Sequence, residues 1–138
     1  MPAQDPSSLA AHHRTQLILW LAITLAPVLY LQIILFTPVE RDANSPPIEI
    51  PLLIAGIGLV AASFVLPKRL FPQPESGRDL AKERSALVIA LAMCEAPAIF
   101  GVIVHFAMGS PWYWLFLAIG FAGLLLHRPK RDTESHAP

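Results

Sequence analysis

SALVIALAMCEAPAIFGVIVHF, residues Ser85–Phe106, is an unbroken apolar run with one carboxylate, Glu95, at its midpoint and a proline, Pro97, two residues further on. A helix needs about 20 such residues to cross a hydrocarbon core. Three other runs have the same character: Gln16–Phe36, Ile50–Leu66 and the shorter Pro111–His127, which opens on Trp112, Tyr113 and Trp114. Aromatic residues of that kind suit the headgroup boundary. All four runs are continuous, not alternating, which favours helices over a β-barrel. The expected fold is all-α: a polytopic membrane protein with four transmembrane helices arranged as two tandem helical hairpins.

Composition agrees. The 138 residues are 54% hydrophobic and only 14% charged, where a soluble domain carries about 25% charged residues. Ten Lys and Arg balance ten Asp and Glu, so net charge points to no nucleic acid or other polyanion. Cys94 is the only cysteine, which rules out an internal disulfide and reads as a small buried hydrophobe. No Cys/His cluster has metal-ligand spacing and no glycine-rich phosphate loop is present. No nucleophile–base pair stands at a membrane boundary. The chain is therefore expected to have no metal, no cofactor and no enzymatic activity, and to have the lipid bilayer as its first partner.

In chain order the expected parts are an N-terminal tail (1–15), a first hairpin (16–66), a loop (67–84), a second hairpin (85–127) and a C-terminal tail (128–138). Gln16–Phe36 exceeds the apolar region of a signal peptide, about 7–15 residues, and Thr37-Pro38-Val39-Glu40 is a poor cleavage site, so this run reads as a retained span. Ser76-Gly77-Arg78-Asp79 has capping-box spacing for a helix leading into the third span. Arg14, Lys68, Arg69, Arg78, Lys82, Arg84, Arg128, Lys130 and Arg131 flank one side of the four spans, and Arg41 the other. By the positive-inside rule, both termini and the 67–84 loop are expected in the cytoplasm, with the chain in the inner (plasma) membrane.

The two halves are alike. Displaced by 70 positions, Arg14, Leu17, Leu21, Ala22, Ala26, Pro27, Ile33 and Phe36 fall on Arg84, Leu87, Leu91, Ala92, Ala96, Pro97, Ile103 and Phe106. Displaced by 62, Leu53, Ile57, Gly58, Pro67, Lys68 and Arg69 fall on Leu115, Ile119, Gly120, Pro129, Lys130 and Arg131. This pattern implies a parallel repeat of a proline helix followed by a glycine-bearing helix. Gly58 with Ala62, and Ala118 with Ala122, are small residues four apart, suited to close helix packing. The first-half position matching Glu95 is Leu25, so only one half carries the acid.

A carboxylate in hydrocarbon is costly, about 2.5–3.5 kcal/mol on insertion scales, and desolvation favours the neutral acid. No Lys or Arg lies within the four runs to answer it. Pro97 removes the hydrogen bond to the Met93 carbonyl, and Pro27 likewise frees the carbonyl of Ile23. Thr24, Tyr30 and Gln32 are further polar candidates on the first span. Glu95 is thus the candidate ion-binding residue, supported by Pro97, Met93, Pro27, Thr24 and Gln32. His105, ten residues on, lies roughly 15 Å along the helix and is out of direct reach.

Ala90 to Val104, ALAMCEAPAIFGVIV, resembles the carboxylate helix of rotary ATPase proteolipid (c-type) subunits, in which a mid-membrane Glu is followed by Ala, an aromatic residue, then Gly and apolar residues. The preceding Ala55-Gly56-Ile57-Gly58 resembles their glycine-rich helix. The resemblance covers one hairpin, about 50–106, and implies that Glu95 carries a proton or small cation. Two functions follow as expectations. One is binding or relay of a proton or small cation at Glu95, alone or within a larger membrane complex. The other is a non-catalytic structural or assembly subunit, in a homo-oligomer or a larger complex, with Glu95 as a neutral hydrogen-bonding peg.

Overall fold

The computed structural model describes residues 6–40, 47–73 and 79–129. These residues are all-α, with five helices among them: α1 (Pro6–Phe36), α2 (Glu49–Ser63), α3 (Leu66–Leu70), α4 (Leu80–Met108) and α5 (Tyr113–Leu126). Two of them, α1 and α4, are long and apolar enough to cross a membrane, and α2 and α5 are shorter apolar helices. Both long helices run on through an internal proline, Pro27 in α1 and Pro97 in α4.

Helix α4 is the hub. It packs against α1, α2, α3 and α5, whereas α1 and α2 make no close backbone approach to each other. The two expected hairpins differ in packing: α4 and α5 pack on each other, whereas α1 and α2 pack on α4 and not on each other. One core group joins Leu91, Cys94 and Leu124 with Trp20, Ile23 and Leu87. A second joins Ile34, Ala98 and Leu117 with Tyr30, Val102 and Tyr113.

The helix ends follow local chemistry. Asp79 caps α4, its Oδ1 accepting from the N–H of Ala81 at 3.1 Å and of Lys82 at 3.2 Å, as an N-cap carboxylate does. The Ser76 capping position lies outside the described residues. At the other end Gly109 adopts φ 57, a left-handed conformation that glycine accepts without steric cost. Its N–H reaches the His105 carbonyl at 2.8 Å, the single bond of an αL cap, and the N–H of Ser110 reaches the Val104 carbonyl at 3.3 Å. The second apolar run stops short of the expected Leu66. Pro67 has no N–H for the Ser63 carbonyl and its ring would clash with that carbonyl, so α2 ends at Ser63 and α3 starts afresh with Pro67 in its first turn.

The expected small-residue faces do not make the contacts. Gly58 has nothing within 4 Å of where a β-carbon would stand, and Ala118 and Ala122 are exposed. The glycines that pack are Gly56, Gly101, Gly120 and Gly123. A β-carbon on Gly120 would stand 3.0 Å from the Cys94 carbonyl oxygen and 3.2 Å from the Ala98 β-carbon, and one on Gly56 would stand 3.3 Å from the Pro97 β-carbon. Helix rotation, which sequence spacing alone does not fix, selects these positions.

Gly120→Val is expected to destabilise the fold by about 1–3 kcal/mol, the usual cost of overpacking. Gly58→Ala is expected to be neutral or to stabilise by up to about 1 kcal/mol through helix propensity. Denaturant unfolding of the two variants in detergent measures both.

Candidate functional site

The Glu95 site is assembled from α1 and α4. Tyr30 Oη donates a hydrogen bond to Glu95 Oε1 at 2.8 Å, and among the described residues this phenol is the one hydrogen-bond partner of the carboxyl. Helices α1 and α4 run parallel, with Trp20 level with Leu91 and Cys94 and with Thr37 at His105, so Tyr30, between these two levels, meets the acid at its own depth.

Glu95 stands at the edge of the buried face of α4. Val88, Ile99 and Phe106, at seven before, four after and eleven after, share its side of the helix, and all three are exposed, Ile99 at 42%. The neighbouring Cys94 and Ala98, on the inner face, are both 0% exposed. The carboxyl is therefore half-buried, clasped inward by one phenol and open on the flank where the apolar stripe begins.

The other supporting residues are dispersed. Pro97 is buried against Gly56 of α2. Gln32 is exposed. Thr24 is 8% exposed and its hydroxyl has no partner. Pro27 is buried and Met93 half-buried. No hydrogen bond joins the Met93 or Ile23 carbonyl to Glu95 among the described residues. Of the polar candidates on the first span, Tyr30 alone reaches the acid. No group of three His, Cys, Asp or Glu that could hold a metal is found among the described residues.

A second cluster, absent from the sequence reading, lies one residue away on α4. Cys94 Sγ donates to Ser63 Oγ at 3.3 Å and lies 3.6 Å from His127 Nδ1. His127 Nδ1 donates to the Gly123 carbonyl at 2.9 Å, and its Nε2 lies 3.4 Å from both Ser63 Oγ and the Ser63 carbonyl. The Ser63 hydroxyl hydrogen goes to the Val60 carbonyl at 2.6 Å. The residues are far apart in sequence, but Pro67 was a signal: four residues after Ser63, it frees the carbonyl that His127 then approaches. With the thiol fully buried and Gly123 packed directly on it, this trio is a polar junction joining the ends of α2 and α5 to α4.

That junction sets the depth of the acid relative to its neighbours. Gly123, which rests on Cys94, is three residues from Leu126, the last of α5, or about 4.5 Å. Glu95 is central in α4 but lies within about one turn of where α5 stops. At the opposite end His105, 7% exposed, pins the end of α1 by donating from Nε2 to the Thr37 carbonyl at 3.0 Å.

Tyr30→Phe is expected to cost about 1–3 kcal/mol by leaving the acid without its donor. In a Glu95→Leu background the same change is expected to cost much less, and a double-mutant cycle by denaturant unfolding reads the difference. The chain matches no protein-family model, no curated protein and no solved structure, so the meaning of the site rests on its own geometry.

Proposed function

We propose that the chain is a multi-pass integral membrane protein of four spans in the inner membrane, with both termini cytoplasmic, and that Glu95 binds and releases a single proton with Tyr30 as its partner. Exposure supports the membrane reading: Leu21, Leu25, Ile33, Leu35, Phe36, Ile50, Ile54 and Leu126 are all large, apolar and more than half exposed. Such a surface suits lipid and not water. At 1.5 Å per residue α2 and α5 measure about 22 and 21 Å, below the roughly 30 Å of a hydrocarbon core; a bilayer accommodates short spans by thinning and by anchoring flanking residues.

The observation that carries the functional reading is the 2.8 Å bond between the phenol and the carboxyl. A small metal cation such as Na⁺ would draw on several oxygens, and among the described residues the one side-chain oxygen bonded to the carboxyl is that of Tyr30. One carboxyl and one hydroxyl suit one proton. The phenol can donate to either the ionised or the neutral acid, so it holds the side chain in place through both states. The polar groups of Ser63 and His127 beside Cys94, at the near end of the bundle, give the proton a way on and off. The resemblance of Ala90 to Val104 to proteolipid subunits points to the same chemistry.

One observation favours the second reading, a non-catalytic assembly subunit. Only 17% of the apolar window of α1 is buried, so the Tyr30–Glu95 bond is a main tie between α1 and α4, as a structural peg would be.

Glu95→Gln separates the two, because Gln keeps a carbonyl to accept from Tyr30 but cannot exchange a proton. In proteoliposomes of the full chain, pH-difference infrared spectroscopy is expected to show a carboxylic acid band that the Gln variant lacks. Proton uptake read by an entrapped pH dye is expected to vanish in that variant while its unfolding midpoint stays near wild type. Wild-type behaviour in Gln, with failure to assemble in Leu, would establish the peg.

A further inference from the structure

Helix α3 is a short element that the four-span plan does not use. It follows α2 after Phe64 and Val65 and packs against α4; Pro67 is buried and Phe71, just past its end, is half-buried. At 100° per residue, Leu66 and Leu70 share one flank and Lys68 stands opposite, with Arg69 between them and the leucines. Both leucines are exposed, Leu70 at 54%, and Phe64 and Val65 in the preceding turn are exposed as well.

Lys68 and Arg69 have no acidic partner among the described residues. Lys82, by contrast, is 3.8 Å from Asp79, and Arg128 lies over the Trp20 ring at 5.9 Å. Two adjacent cations without an acidic partner among the described residues therefore stand one opposite and one next to an uncovered apolar flank. They stand at the end of the bundle where α2 and α5 stop and α4 begins.

We propose that α3 lies in the headgroup layer and binds anionic phospholipid, with Leu66 and Leu70 in the acyl region and Lys68 and Arg69 on the phosphates. Charge complementarity selects this occupant. A free phosphate would use the cations but not the leucines, and a zwitterionic lipid would use the leucines but leave the cations unanswered. A second copy of the chain would bring its own cations to the same face. This inference rests on the membrane reading and not on the role of Glu95.

The test uses the full chain in nanodiscs of phosphatidylcholine with 30 mol% phosphatidylglycerol, probed with spin-labelled versions of each lipid. Wild type is expected to prefer phosphatidylglycerol by roughly five-fold for each cation at low salt, and high salt is expected to erase the preference. Lys68→Gln with Arg69→Gln is expected to bring the ratio near one without moving the unfolding midpoint. Leu66→Ser with Leu70→Ser is expected to weaken retention of both lipids. Equal retention of the two lipids by wild type, a ratio unchanged in the Lys68/Arg69 variant, or displacement of the labelled lipid by soluble glycerol phosphate would overturn the proposal. A chain that does not enter the nanodisc at all would instead overturn the membrane reading beneath it.

Discussion

Gly120 and Gly123 bring α5 so near to α4 that side chains there would meet the Cys94 carbonyl and thiol at about 3.0 Å. Most of the fold depends on this approach. Within a bilayer the hydrophobic effect does not drive helices together, so close van der Waals packing and buried hydrogen bonds must do so. The glycines let the α4–α5 backbones meet, and the seam then offers its flanks to the other elements. Trp20 of α1 fastens to α5 through its indole N–H on the Leu124 carbonyl at 2.7 Å. On α2, Gly56 admits Pro97.

Proline has two roles in this setting. Within α1 and α4 it is absorbed, since neighbouring helices hold the chain on either side and the ring of Pro97 fills space against Gly56. At Pro67 it is not absorbed: α2 ends, and the Ser63 carbonyl it would have engaged faces the His127 ring instead. One residue thus shortens an apolar helix, starts the amphipathic α3 and turns a backbone acceptor toward the polar junction beside Glu95.

The sequence was informative where the signal was local. Apolar run length located α2, α4 and α5 to within about five residues and the end of α1, but α1 starts at Pro6, inside the stretch expected as a tail, because a helix can run on through polar residues beyond its apolar part. Glu95 was conspicuous because an acid in an apolar run has few bland explanations. What could not be read was rotation and neighbourhood. Gly58 and Gly56 are equally glycine, and only packing tells which one faces Pro97. Tyr30, Thr24 and Gln32 were equivalent candidates, and the helical angle of each about α1 decides that Tyr30 meets the acid. The like sequences of the two halves suggested like hairpins, yet α2 packs on α4 and not on α1, because contact is set by complementary surfaces and not by order along the chain.

The setting of Glu95 bears directly on its chemistry. An acid midway along an isolated helix would be equally remote from both water layers. Here α2 and α5 end beside Cys94, bringing the polar groups of Ser63 and His127 next to the residue before the acid. At the other end the bundle is closed by His105, Thr37 and the Gly109 turn. The two ends of the bundle therefore differ around one carboxyl: short helices and basic residues on one side, a longer packed column on the other. On the proposed reading, a group placed asymmetrically in this way would meet different barriers toward each face, and the α2–α5 end would be the shorter route for a proton reaching or leaving Glu95.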